Sequence, residues 1–175
     1  MYETPEEIAA LQEILDRSHA GSTEHLRAII GPDRTLRAAD IAALMTGMKV
    51  LSVATVTARG EPRISALDGH FLHATWTFST SGTSAKAQHI ARRPAVSIAH
   101  IDNEELAVFA HGQVQTMHPG EPSWDEMLAH WTAHYDSSPL SWGDDVRLYR
   151  FQPEWMVGYT GDRDKLLRER GITAA

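Results

Sequence analysis

Near residue 48 the chain changes its hydrophobic period. Before that point, apolar residues recur at helical spacing. Ile8, Leu11 and Leu15, then Leu26, Ile29 and Ile30, place an apolar stripe on each of two segments. Thr4 before Pro5, with Glu6 and Glu7 following, is a helix start: proline has no N–H to lose there, and acids suit the positive end of the helix dipole. The pattern predicts helix over 5–30, broken at Ala20-Gly21-Ser22. A Gly31-Pro32-Asp33 turn follows, then a helix from Ala38 to Thr46 stopped by Gly47.

From Met48 onward the period is two. VLSVATVTA (50–58) leads through Arg59-Gly60 to PRISALD (62–68), and Gly69 is the expected turn into FLHATWTFST (71–80). A short helix over 83–93 precedes AVSIAHI (95–101) and LAVFAHGQVQTM (106–117), which flank the polar turn Asp102-Asn103-Glu104-Glu105. A helix over 122–134, a last strand over 146–159 interrupted at Pro153, and a charged peripheral tail complete the reading. Strands joined by tight connections pair antiparallel. Six of them with few covering helices predict a mainly β fold with α: a six-stranded antiparallel split β-barrel with N-terminal helices and two inserted helices. The expected divisions are a helical extension (1–47), the barrel domain (48–160) and a C-terminal tail (161–175).

Composition narrows the function. The chain has 175 residues and no cysteine, so one domain is expected and disulfides, iron–sulfur clusters and thiolate zinc sites are excluded. A net charge of −7 argues against a nucleic-acid partner. No apolar run approaches the roughly 18 residues of a membrane span, and the acidic start is no secretory signal. A cytoplasmic protein is expected. Its central segment nevertheless gathers Arg59, Arg63, Lys86, Arg92 and Arg93, which suggests a small anionic ligand.

Residues 79–94, STSGTSAKAQHIARRP, sharpen that suggestion. Ser79, Thr80, Ser81, Thr83 and Ser84 are hydroxyl donors, and the helix they precede offers unpaired backbone N–H groups. These residues make either a well-capped surface helix or a phosphate cradle. Lys86 decides little alone, but a lysine in a first helical turn opposes the dipole, and a bound anion would account for it. Arg63 is the candidate second cation, expected beside Thr80 in the sheet.

The ordered string VLSVATVTARGEPRISAL, WTFSTSGTSAKAQHIARRPAVSIAHID and LAVFAHGQVQ resembles the FMN-binding split barrel of the pyridoxamine 5′-phosphate oxidase-like superfamily, which includes deazaflavin (F420)-dependent reductases. The resemblance covers about residues 48–117. It implies cofactor contacts along Arg63, Ile64, Ser65, Ala66, Leu67 and Asp68, at Ser79 and Thr80, and at Ser84 and Lys86. It also implies a homodimer with FMN, alternatively F420 or less readily haem, at the subunit interface, transferring hydride or electrons to or from a small organic substrate. A non-catalytic flavin, F420 or haem binding protein is the alternative. The family pattern fails at Ala85, where the oxidase has a second cation, at Ala107, where it has glutamine, and at Asp68, where it has a substrate-binding lysine. Its substrate-binding residues have no counterpart in HWTAHYDSSPLSWGDD or VRLYRFQPEW, so pyridoxamine phosphate oxidation is not expected. No catalytic residue is identified.

Other chemistry is weaker. Glu126, His130 and His134 share a helical face at metal-ligand spacing, but three ligands on one helix rarely close around one ion, and a packed helix with a polar face is expected instead. His70 with His73, and His100 with His111, are candidates to line a pocket. Trp76, Trp142 and Trp155 are read as core or interface residues, with one available to stack on a ring.

Overall fold

The computed structural model describes residues 2–173. Helices α1 (Pro5–Ala20), α2 (Glu24–Ile29) and α3 (Ala38–Leu44) precede strands β1 (Met48–Val56), β2 (Pro62–Leu72) and β3 (Thr75–Ser81). Helix α4 (Ala85–Arg92) leads into β4 (Ala95–Asp102) and β5 (Leu106–Thr116). Helix α5 (Trp124–Tyr135) and a 3-10 turn (Pro139–Ser141) lead into β6 (Val146–Thr160) and α6 (Arg163–Glu169). The strands close an antiparallel barrel in the order β1-β2-β3-β6-β5-β4. The six-stranded barrel read from the period-two pattern is the fold.

Alternation sorts each strand into an inward and an outward row. Leu51, Val53 and Thr55 of β1 point inward and are buried, as are Ile98, Val108, Ala110 and Met156. Val50, Ser52 and Ala54 belong to the outward row of β1, beside Asp68, Ala66 and Ile64 of β2. Helix α1 begins with a capping box, in which Thr4 Oγ1 accepts from Glu7 N–H and a Glu7 carboxylate oxygen accepts from Thr4 N–H.

Three expectations are corrected. Gly69 is not a turn: β2 runs through it to Leu72, and the hairpin turns at His73-Ala74. Glycine is needed at 69 for space, since a Cβ there would lie 2.2 Å from Leu51 Cδ1. His73 and Ala74 both take left-handed φ, 56° and 57°, the geometry of a two-residue hairpin turn that glycine or asparagine usually supplies. Glu7 and Glu126 flank His73 there, with a carboxylate oxygen 3.1 Å from Nδ1 and from Nε2 respectively. Pro153 does not interrupt β6. The register shifts between His111 and Gly112, and the proline sits opposite that bulge, where a missing N–H is tolerated.

The C-terminal segment is not peripheral. Leu166 and Leu167 are buried in the same core as Leu11, Leu15 and the barrel. Arg163, read only as one charge in a polar tail, forms a buried two-bond pair with Asp40, at 2.6 Å through Nε and 2.9 Å through Nη2. Asp40 also accepts from Arg37 N–H at 2.8 Å, so the pair ties the start of α3 to α6.

Candidate functional site

The loop between β3 and α4 brings part of the expected cradle together. Ser84 is the N-cap of α4, its hydroxyl accepting from Ala87 N–H. Thr80 Oγ1 lies 3.2 Å from Ser84 Oγ and 3.5 Å from Lys86 Nζ. One ammonium, two hydroxyls and a helix N-terminus therefore converge. The acid-free first turn of α4 leaves that positive end unneutralised. These donors fit an anionic group such as a phosphate.

Arg63 does not join them. It faces Thr55 on β1, and its guanidinium bonds Glu61 and the Pro62 carbonyl. The cause is the register: β2 pairs with β3 only from Gly69 to Leu72, so the start of β2 never reaches Thr80. Thr80 instead pairs with Arg147 of β6, which bonds Asp145. Arg63 and Ser65 belong to the inward row of β2, while Ile64, Ala66 and Asp68 belong to the outward row. Ser79 and Thr80, being consecutive, likewise point to opposite faces, so the paired hydroxyls do not meet at one point.

Ser79 lines a second feature, a groove of about 580 Å³ on the outer face of the barrel. Val50, Ala66, Leu67 and Asp68 form its floor, and Tyr135 and Trp142 its wall. That volume lies within the usual range for small-ligand sites. Groove and cradle adjoin through the Ser79–Thr80 peptide. Ile64 lies beyond the groove and is 75% exposed.

Sequence reasoning missed Tyr135, and named Trp142 only as one of three tryptophans available to stack on a ring. Tyr135 ends the face that carries Trp131, and the i, i+4 aromatic pair was the available signal. The Glu126, His130 and His134 stripe is dispersed: Glu126 bonds His73, and His130 bonds His70. Among the described residues no group of three His, Cys, Asp or Glu side chains is placed to hold a metal. His70 and His130 line a cavity of about 260 Å³. His100 and His111 fall on opposite rows of their strands and share no pocket; His111 stacks on Trp155 at 4.7 Å instead. Trp76 is buried in the core and Trp142 is half-exposed at the groove.

Three groups between the groove and the cavity lined by His70 and His130 are held neutral. Burial, reinforced by His130 and His134, pushes His70 down to about 3. Burial and His134 lower His130. Burial and Asp68 push the Tyr135 phenol up to about 12.

The comparisons with known proteins bear on this arrangement. The family model described as pyridoxamine 5′-phosphate oxidase matches residues 38–158. The chain belongs to the pyridoxamine 5′-phosphate oxidase family. A conserved hypothetical protein from Mycobacterium tuberculosis shares its fold with a TM-score of 0.63 at 18% identity, over 83% of this chain and 94% of that one. HutZ, the heme storage protein from Vibrio cholerae, superposes with a TM-score of 0.56 at 23% identity, over 65% and 87% of the two chains. An F420 reductase superposes with a TM-score of 0.53 at 21% identity, over 66% and 94%. No curated protein sequence matches the chain. Within the family, both Ala85 beside Lys86 and the buried Ala107 depart from the oxidase pattern described above.

Proposed function

We propose that the chain is a flavin-type oxidoreductase, binding FMN or alternatively F420 and exchanging hydride or electrons with a small organic substrate. The observation that carries this reading is the convergence of Lys86, Thr80 and Ser84 at the start of α4, next to a groove floored by β1 and β2. In it, Lys86 and the hydroxyls hold the ligand's phosphate. Ala66 and Val50 offer apolar surface to a ring, and Trp142 and Tyr135 exclude water from one side. When bound, the flavin supplies the hydride chemistry, and the chain supplies anchoring and protons.

The membership of the chain in the oxidase family supports the class of cofactor. The absence of the family's substrate-binding residues supports a substrate other than pyridoxamine phosphate. A second copy of the chain belongs to this reading. Val50 and Ile101 are each 57% exposed and Ile64 75%, all on the outer face of the barrel beside the groove, and a dimer would cover them.

The test is a titration of the purified protein with FMN, F420 and haemin, read by flavin fluorescence and by absorbance. Saturable flavin or F420 binding is expected. Lys86→Ala, which removes the one cation of the cradle, is expected to weaken that binding by about tenfold or more while the circular dichroism stays unchanged. Binding of haemin alone, with a Soret band, overturns the flavin reading in favour of haem storage. Unchanged flavin affinity in Lys86→Ala removes the cradle from the site.

A further inference from the structure

Beneath α5, an uninterrupted chain of hydrogen bonds crosses the protein from the groove to the second cavity. Tyr135 Oη donates to Asp68 Oδ2 at 3.4 Å. His70 Nε2 lies 3.2 Å from Tyr135 Oη, and His130 Nε2 lies 2.9 Å from His70 Nδ1. His130 Nδ1 lies 2.9 Å from the Tyr2 hydroxyl. Asp68 and Tyr135 line the groove, whereas Tyr2, His130 and His70 line the 260 Å³ cavity beside α3.

The chain has one consistent polarity, and it is set from the groove end. Because the Tyr135 proton points to Asp68, the Tyr135 oxygen is free to accept, so His70 donates through Nε2. A neutral imidazole that donates at Nε2 accepts at Nδ1. His130 must then donate through its own Nε2 and accept at Nδ1 from Tyr2. One carboxylate therefore fixes the tautomers of two histidines that it does not touch. The groups beside this path are His134 and Trp131, both of α5, whose ring centres lie 4.9 and 5.2 Å from that of His70, and His73 of the β2–β3 turn, 6.3 Å from the Tyr2 ring and bonded to Glu7 of α1 and Glu126 of α5.

We propose that Tyr2, His130, His70 and Tyr135 form a proton relay, oriented by Asp68, that delivers protons from the cavity to a ligand in the groove. The proposal rests on the groove being the cofactor site. In one passage, Tyr135 turns from Asp68 and gives its hydroxyl proton to the ligand as it takes the Nε2 proton of His70, so no tyrosinate forms. His70 Nδ1 takes the Nε2 proton of His130, His130 Nδ1 takes the proton of Tyr2, and Tyr2 takes one from water in the cavity. One proton enters and one leaves. Both histidines exchange one neutral tautomer for the other, and no member of the chain carries a charge. This suits a buried path, where an imidazolium would meet a large desolvation penalty. Tyr135 is the residue that touches the ligand, and the others act through it.

The test begins with the ligand-free protein, histidine-labelled with nitrogen-15, whose imidazole shifts report which nitrogen carries the proton. At pH 7, His70 and His130 are expected to be neutral with the proton on Nε2. Asp68→Asn is expected to move His130 partly or wholly to the Nδ1 tautomer. In a Tyr135→Phe background the same Asp68 change is expected to leave His130 unmoved. A His130 that ignores Asp68→Asn, or that responds equally in the Tyr135→Phe background, overturns the relay. Backbone spectra of each variant show whether it folds.

The second measurement follows proton uptake, with a pH indicator, as dithionite supplies electrons to FMN-loaded protein. His130→Phe is expected to slow uptake by about tenfold or more, with FMN affinity unchanged. An unchanged rate overturns delivery to the groove. Failure of the wild type to bind FMN overturns the reading of the groove instead, and the tautomer result still decides the wiring.

Discussion

Two clusters in this protein bury ionisable side chains, and they solve the problem in opposite ways. Asp40 and Arg163 are both charged, two-fold bonded and closed off at the junction of α3 and α6. His70, His130 and Tyr135 are kept uncharged, in single file, between two solvent-accessible hollows. A buried ion pair is rigid because separating its charges is expensive. A neutral file is ordered yet can exchange its protons without separating charge. The first arrangement suits a clasp, and the second suits traffic.

The sharpest way to break the comparison is to leave one charge alone. Arg163→Met strands Asp40, and urea unfolding is expected to show a loss of about 3–5 kcal/mol. Changing both partners to apolar residues should recover much of that loss, because the unpaired charge is then gone.

The neutral file makes its contribution visible through pH rather than at neutrality. His70 falls from an ordinary 6.5 to about 3 in the folded protein. Between those values the unfolded chain binds a proton that the folded one does not, so stability falls as pH falls. The slope is about 1.4 kcal/mol per pH unit from this one group. His70→Asn should flatten the acid limb of stability against pH by that amount, and an unaltered limb would show that His70 is charged or exposed. Tyr135 gives the mirror image and the smallest effect. Its folded value near 12 means that stability is lost as pH rises from about 10, where the unfolded phenol ionises. Tyr135→Phe should soften that alkaline loss, measured by thermal unfolding across the same range.

Much of the barrel was legible because alternation is a short-range signal that each strand carries by itself. Register is not. The turn at His73-Ala74 depends on carboxylates from α1 and α5, far away in sequence, and no local pattern favours two left-handed residues without glycine. Register also keeps Arg63 from Thr80, since β2 pairs with β3 only over Gly69–Leu72. In the site, Thr80, Ser84 and Lys86 were found because they lie within one turn of each other. Tyr135 was not, and Trp142 was only one of three tryptophans named, because they reach Ser79 only through the packing of α5 and the 3-10 turn on the outer face. The tail misled for a similar reason: Arg163 reads as a surface charge until Asp40 is placed beside it.

The seam between β1 and β4 is only three residue pairs long, Ser52 with Ala99, Val53 with Ile98 and Ala54 with Ser97. Every other junction in the ring except β1–β4 joins strands that are sequence neighbours or, for β3 and β6, is longer at five pairs. Closure of the ring therefore waits on its briefest contact, and loop entropy is recovered only when that contact forms. In folding, the meander β1-β2-β3 and the pair β4-β5 can each assemble locally, with β6 the strand that bridges them. In the finished protein the outward row of β1 runs from that seam, through Ser52, to Val50 at the groove, so the last junction to close is continuous with the surface that lines the groove.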